Sequence, residues 1–225
     1  MNTHLSIVLS QRVRGIIRTQ GLLSLIRRAF LFIIRWLFTY ERYDLYEGTI
    51  GEILKLDETE ILPRTQAFTL RVISSNKEAD NLEAQGFEFR SYIPGAVERL
   101  DKGAMAFCIF VGHELANMGW LAFTKEANQT IWDSPFGADF SNDESVTGGS
   151  FTNPKYRAMG MMTYNLYKRL EFANEQGKLR DRAIMRKSNI APQILAAKFG
   201  YRVYAEMHFI RIVGCKIWKM KPRIR

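Results

Sequence analysis

Apolar side chains fill most of Leu22–Tyr40, but Arg27, Arg28 and Arg35 interrupt the stretch, and the uncharged run Ala29–Ile34 between them is only six residues long. A membrane-spanning helix needs about 20 mainly apolar residues, and each arginine at mid-bilayer costs roughly 2.5–3.5 kcal/mol. The pattern therefore predicts an amphipathic helix over residues 1–45 and no span. Arg14, Arg28, Arg35 and Arg42 are separated by multiples of seven residues, almost whole helical turns, and so share one face. Leu23, Leu25, Ile26, Phe30, Ile33, Ile34, Leu37 and Phe38 cover most of the remainder, with Trp36 and Tyr40 near the end. Such a helix suits an anionic membrane surface. The same pattern serves a helix packed on the domain or on a second subunit, the arginine stripe then being solvated; a homodimer would follow from the latter. A secretory signal is not expected, because the first arginine follows the short apolar stretch Leu5–Leu9 and no small-residue cleavage site follows the later one.

Residues 46–63 are mixed and acidic (Asp57, Glu58, Glu60) and read as a connector with at most a short strand. Beyond Pro63, over 64–225, the periodicity changes repeatedly between two and 3.6. A strand is predicted over Ala67–Ile73, a helix over Asn76–Gln85 closed by Gly86, and a hairpin from Ala104–Val111 and Leu115–Phe123 about the turn Gly112–Glu114. A strand over Ser145–Thr152 follows, then a helix from Arg157 to about Asn174, a strand Arg182–Met185, a helix Ile190–Lys198, and strands Arg202–Phe209 and Val213–Met220. This order predicts an α/β domain, a mixed central sheet with flanking helices.

Composition narrows the class. Hydrophobic residues make up 47% and charged residues 24% of the 225, which excludes a disordered or collagen-like chain. The net charge of +9 sits at the ends: residues 1–45 hold seven arginines against Glu41 and Asp44, residues 216–225 hold five basic residues and no acid, and the body between is close to neutral. A nucleic-acid binder would carry its basic stripe on the folded body, so that partner is not expected. Cys108 and Cys215 fit neither a metal-ligand spacing nor a disulfide framework, which predicts a reducing, cytoplasmic setting and no metal.

The stretch that carries chemistry is Gly148-Gly-Ser-Phe-Thr-Asn-Pro-Lys-Tyr-Arg-Ala-Met-Gly-Met-Met162. Here a strand ends at a proline and leads into a helix, whose first amides lack internal partners and whose dipole favours negative charge. A pyrophosphate can bind at such a place. Gly160 lets backbone approach the phosphates, and Arg157 can add a charge-assisted hydrogen bond. Gly148–Gly149 inside a strand predicts a bulge that splays it from its neighbour and opens a slot in the sheet.

Pro154-Lys-Tyr-Arg157-Ala-Met-Gly160-Met-Met162 resembles the central motif of the GNAT superfamily of N-acetyltransferases, Arg/Gln-x-x-Gly-x-Gly/Ala at the start of a helix, commonly preceded by Pro-x-Tyr. Asn189-Ile-Ala-Pro followed by Lys198-Phe-Gly200-Tyr201 is similar to that family's asparagine, helix, and Gly-Phe lead into the next strand; element order agrees over about residues 64–221. The resemblance implies acetyl-CoA as co-substrate, held by Phe151, Thr152, Arg157, Ala158, Met159, Gly160, Met161, Met162 and Asn189. It implies direct acyl transfer to an amine, which membrane attachment would make an amino sugar, a lipid amine or a protein amine. The second reading is a non-catalytic member of the same fold that binds acyl-CoA, or nothing, and serves as a membrane-anchored interaction module. Two positions depart from the pattern: Met162 replaces a small residue, and Ala196 stands where many members have a tyrosine that protonates the departing thiolate.

An attacking amine must lose a proton, so a carboxylate or histidine near the slot is needed. Glu144, where the bulged strand begins, is the first candidate for this catalytic role, with Asp143 and Asp139 beside it. His113 is expected in a hairpin turn, His208 as a structural histidine, and Tyr164 and Tyr167 in the core.

Overall fold

A computed structural model describes residues 37–65 and 67–223. Eight strands form one mixed sheet in the order β2-β3-β4-β5-β6-β1-β7-β8. In chain order they are β1 (Phe38–Thr49), β2 (Thr69–Ile73), β3 (Met105–Val111), β4 (Glu114–Ala122), β5 (Glu144–Thr152), β6 (Arg180–Arg186), β7 (Arg202–Ile212) and β8 (Cys215–Pro222). The helices are α1 (Ile50–Ile53), α2 (Asn76–Ala84), α3 (Ala96–Asp101), α4 (Lys125–Ile131), α5 (Met161–Glu175) and α6 (Ile190–Lys198). Backbone packing separates residues 37–41 with 208–219 from a larger unit formed by the rest. In the smaller unit Val213 N–H donates to Leu37 O at 2.7 Å, Tyr40 Oη meets His208 Nδ1 at 2.8 Å, and Phe209 packs on Trp218. Among the described residues no helix is long and apolar enough to cross a membrane.

The larger unit is the mixed sheet with flanking helices that the periodicity predicts. Local signals place its elements. The β3–β4 hairpin turns at Gly112, whose φ of +59° suits a residue without a side chain. Ser75 Oγ accepts the Glu78 N–H at 3.2 Å to cap α2, and the Glu78 carboxylate returns to the Ser74 N–H at 2.7 Å. Thr124 Oγ1 caps α4 in the same way through the Ala127 N–H. Alternation along β4 then sorts the layers. Leu121 joins a core with Leu166 and Leu170 of α5 and Leu195 of α6, whereas its neighbour Trp120 faces Phe89 and Arg99 of α3.

Two sequence expectations change here. The amphipathic helix cannot continue to residue 45, because residues 38–49 are β1; Arg42 lies on that strand and leaves the arginine face. The remainder of the predicted helix, including Arg14, Arg28 and Arg35, lies outside the described residues. The stretch read as a connector carries the end of β1 and α1, with Tyr46, Ile50 and Ile53 buried in the main core. A strand hydrogen-bonded on both edges is apolar on both faces where it is covered, so Leu45 and Tyr46 follow one another inward and imitate a helix face. The helix predicted from Arg157 begins only at Met161, after a 3-10 turn at Pro154–Tyr156.

Candidate functional site

The glycine pair bends β5. Met118 pairs with Phe151 and Trp120 with Gly148, so Gly149 and Ser150 stand opposite Gly119 alone, and Gly149 takes a φ of +57°. This is the predicted bulge, one residue longer on β5. On its other edge β5 pairs with β6 in parallel only from Glu144 to Val146, against Arg180 to Arg182. Beyond Val146 the strands part, while β6 stays paired with β1 as far as Arg186. A cleft of about 640 Å³ opens between them, lined by Thr147–Ser150 and Thr152 on one side and Ala183–Arg186 on the other.

One end of the cleft meets the start of α5. Asn153 accepts the Lys155 N–H at 3.1 Å and donates its own N–H to Ala116 O at 2.9 Å, which anchors the turn to β4. Ala158 at φ +62° and Gly160 at φ +80° then reverse the backbone twice within three residues, and Arg64 N–H fixes the loop through Met159 O at 2.8 Å. Successive reversals of this kind gather amide N–H groups into an anion-binding concavity. The first helical bond runs from Tyr164 N–H to Gly160 O at 3.0 Å, leaving the amides of Met161, Met162 and Thr163 ahead of it. Unlike α2 and α4, α5 has no side-chain cap. Arg157 is exposed at the cleft, and no carboxylate pairs with it among the described residues.

The predicted binding residues separate on inspection. Thr152, Arg157, Met162 and Asn189 line the cleft together. Ala158 and Gly160 line a separate hollow of about 300 Å³ with Arg64 and Lys198. Met161 is 1% exposed, and Met159 packs beside it, so both serve the core. Phe151 meets the Tyr92 ring at a tilt of 46°, centroids 5.6 Å apart. Met162 packs against the main core, which accommodates its size. Asn189 precedes α6, yet its side chain makes no capping bond. An Asn189→Ser variant is therefore expected to keep its melting temperature and to weaken CoA binding several-fold by calorimetry; unchanged affinity would leave Asn189 with no part in binding.

Glu144 stands elsewhere. It is 5% exposed at the closed end of the β5–β6 pair, where Oε1 accepts Arg182 Nη2 at 2.6 Å and Oε2 accepts the Asp139 N–H at 2.8 Å. With both oxygens engaged and the residue outside the cleft lining, it is placed to hold the Asp139–Asp143 loop. Asp139 is exposed on that loop and accepts from Ser141 and Asn142, which holds its carboxyl below the usual range. His113 is exposed in the hairpin turn, and Tyr164 and Tyr167 are buried, as the sequence predicts. Ala196 is fully buried in the core.

A carboxylate that the sequence did not single out is Asp181, fully buried on β6. Its Oδ1 accepts Ser145 Oγ at 2.9 Å; its Oδ2 accepts Thr147 Oγ1 at 2.7 Å and Tyr201 Oη at 2.6 Å. Burial raises its pKa to about 6 against the pull of those three donors and of Arg169. Thr147 lines the cleft, so its hydroxyl joins the cleft to this carboxylate. Arg169 of α5 also lines it, buried and donating to Trp120 O at 3.0 Å; burial lowers its pKa to about 10. Gly119 makes room for that guanidinium, since a Cβ there would lie 2.6 Å from its carbon. Nothing local marks Asp181, which sits between two arginines at a strand start like many solvated acids.

No family model matches the chain, and no curated protein matches it in sequence. Most of the solved structures it resembles are described as GNAT or GCN5-related acetyltransferases. A region of a fungal multi-domain GH3 β-N-acetylglucosaminidase, described as a GCN5-related glucosamine N-acetyltransferase, superposes with a TM-score of 0.51 at 9% identity, over 82% of this chain and 22% of that one. A GCN5-related N-acetyltransferase-like protein from Streptococcus suis 89/1591 gives 0.49 at 14% identity, over 89% and 69%. A GCN5-related N-acetyltransferase from Kribbella flavida gives 0.46 at 16% identity, over 78% and 60%. The chain spans between 57% and 63% of the length of several such structures. At these identities the likeness is one of fold, and the fold is GNAT-like.

Proposed function

We propose that the protein is an acyl-CoA-dependent N-acyltransferase that passes an acetyl group directly from acetyl-CoA to an amine. The observation that carries this reading is the junction of the parted β5–β6 cleft with the uncapped start of α5 and the unpaired Arg157. The α5 amides and Arg157 would hold the pyrophosphate. The unpaired edge of β6, Ala183–Arg186, offers backbone donors and acceptors to the pantetheine amides, with Asn189 beside it. Acetyl-CoA supplies a thioester whose carbonyl carbon accepts the amine lone pair, so that the C–N bond forms, the C–S bond breaks and CoA leaves as its thiolate, which takes a proton from solvent.

The residues of the chain then position the reactants and move the proton. Backbone N–H groups of the bulge, Gly149 and Ser150, stand where the ladder leaves them out and can donate to the developing oxyanion. Thr147 Oγ1 takes a proton from the amine as it passes its own to Asp181, whose carboxylate is poised near pH 6. Thr147 thus touches substrate, and Asp181 acts through it. Glu144 has no part in this transfer. Attachment to an anionic membrane surface remains part of the proposal for residues 1–36, carried by the spacing of Arg14, Arg28 and Arg35.

Incubating the protein with acetyl-CoA and a panel of amines tests the reading through release of free thiol. Amine-dependent release well above the rate of acetyl-CoA hydrolysis is expected. CoA binding by calorimetry without any such release would leave a binding module, and no CoA binding would end both.

A further inference from the structure

Arg169 of α5 is buried beside the cleft, and the transfer as described gives it no task. Its Nη1 donates to Trp120 O at 3.0 Å, its Nε to Asn165 O at 3.5 Å and its Nη2 to Ser150 Oγ at 3.4 Å. Among the described residues no carboxylate lies within ion-pairing distance of it, and the negative charge that acts on it through space is that of Asp181. A cation taken out of water without a paired anion is destabilising, and an apolar side chain of similar size would fill the same place without that cost. β4 nevertheless forgoes a side chain at Gly119 to admit the guanidinium. Perturbed charges of this kind beside a cleft cluster at functional sites.

Ser150 joins this charge to the cleft. It is the exposed residue of the bulge and lines the cleft with Thr147. Its oxygen accepts from Arg169, so its own hydrogen is left for a group in the cleft, and a hydroxyl polarised by a cation is the stronger donor. Charge balance decides which group that is. Before transfer Arg169 and Asp181 offset each other. When Thr147 passes the amine's proton to Asp181, that carboxyl becomes neutral and Arg169 loses its counter-charge. In the same transfer the C–S bond breaks and sulfur keeps the electron pair.

We infer that Ser150 donates to the departing thiolate and that Arg169, acting through Ser150, takes this thiolate as its new counter-charge, so that the net charge of the site is the same before and after transfer. Asp181 afterwards returns its proton to water as the thiolate takes one up. The inference rests on the acyltransferase reading for the step, but the thiolate can be followed without turnover. The ionisation of the CoA thiol in its complex with the protein is read from the ultraviolet absorbance of the thiolate, with desulfo-CoA, which lacks the sulfur, as the control ligand. In the wild type an ionised Asp181 still offsets Arg169. Asp181→Asn imitates the protonated carboxyl, so the bound thiol should ionise at least one pH unit lower than in the wild type, a tenfold gain in thiolate binding or about 1.4 kcal/mol. Adding Ser150→Ala, an exposed position, or Arg169→Gln to that variant should abolish the shift while desulfo-CoA binds as before. An Asp181→Asn variant whose bound thiol ionises as in the wild type would overturn the inference. So would a shift that survives Ser150→Ala, or equal weakening of CoA and desulfo-CoA by Arg169→Gln with the shift kept, which is what a purely structural arginine would give. The shift in a protein that transfers no acetyl group would support the inference and count against the acyltransferase reading alone; acetyl transfer without the shift would do the reverse.

Discussion

Replacing Asp181 by asparagine is expected to slow acyl transfer at neutral pH by roughly 10²–10⁴-fold, the usual contribution of a general base. The wild-type profile of kcat/KM should rise through about pH 6, where burial places this carboxyl, and the variant should lose that limb. Thr147→Val keeps the carboxylate and cuts its link to the cleft, so it should lose the same limb. Stability reads the charge independently. Because the folded-state pKa of Asp181 is raised from 3.8 to about 6, the native state binds the extra proton between those values. The stabilisation this gives is complete below about pH 4 and is lost as pH rises through 6, by up to about 3 kcal/mol. Asp57, Glu114 and Asp139, whose pKa values are lowered, act in the opposite sense in stronger acid. Denaturant unfolding of the wild type should therefore be hardest on the acid side of neutrality, and Asp181→Asn should flatten the decline above it while Thr147→Val keeps it. If both variants retain the limb near pH 6 and lose only stability, Asp181 is a staple between β5, β6 and Tyr201, and the proton leaves by another route.

Gly160→Trp should weaken CoA binding at least tenfold, about 1.4 kcal/mol. The indole would lie over the amides gathered by Ala158 and Gly160, and the backbone at φ +80° disfavours any side chain by about 1–2 kcal/mol. Gly160→Ala separates the two effects. A Cβ there meets Leu62 O at 3.5 Å and Pro63 Cα at 3.6 Å, ordinary contacts, so the alanine variant bears the conformational cost with the amides still open. It should fold with slightly lower stability and keep most of its affinity. A folded tryptophan variant with wild-type affinity would remove the pyrophosphate from this turn.

Glu144 and Asp181 show how far a linear reading reaches into the site. Both are acids at the start of a strand, and the sequence favours Glu144 because it opens the bulged strand. Their surroundings differ through partners remote in the chain: Arg182, 38 residues on, pairs with Glu144, whereas Thr147, 34 residues back, donates to Asp181.

The sequence by itself determined what depends on neighbours within a few residues. The hairpin at Gly112, the bulge at Gly148–Gly149, the glycine at the head of α5 and the alternation that makes the sheet follow from steric freedom at φ and from side-chain period, which act locally. Tertiary structure decided what depends on burial and pairing. Residues 38–45 have enough apolar surface to read as helix, but the strand β1 that they begin pairs with β6 from Tyr43 onward and buries Asp44, Leu45 and Tyr46, and that outweighs a propensity difference of tenths of a kcal/mol per residue. Charge follows the same rule: an acid, an arginine or an indole acquires its role from the water it loses and the partner it meets, and both are properties of the folded chain.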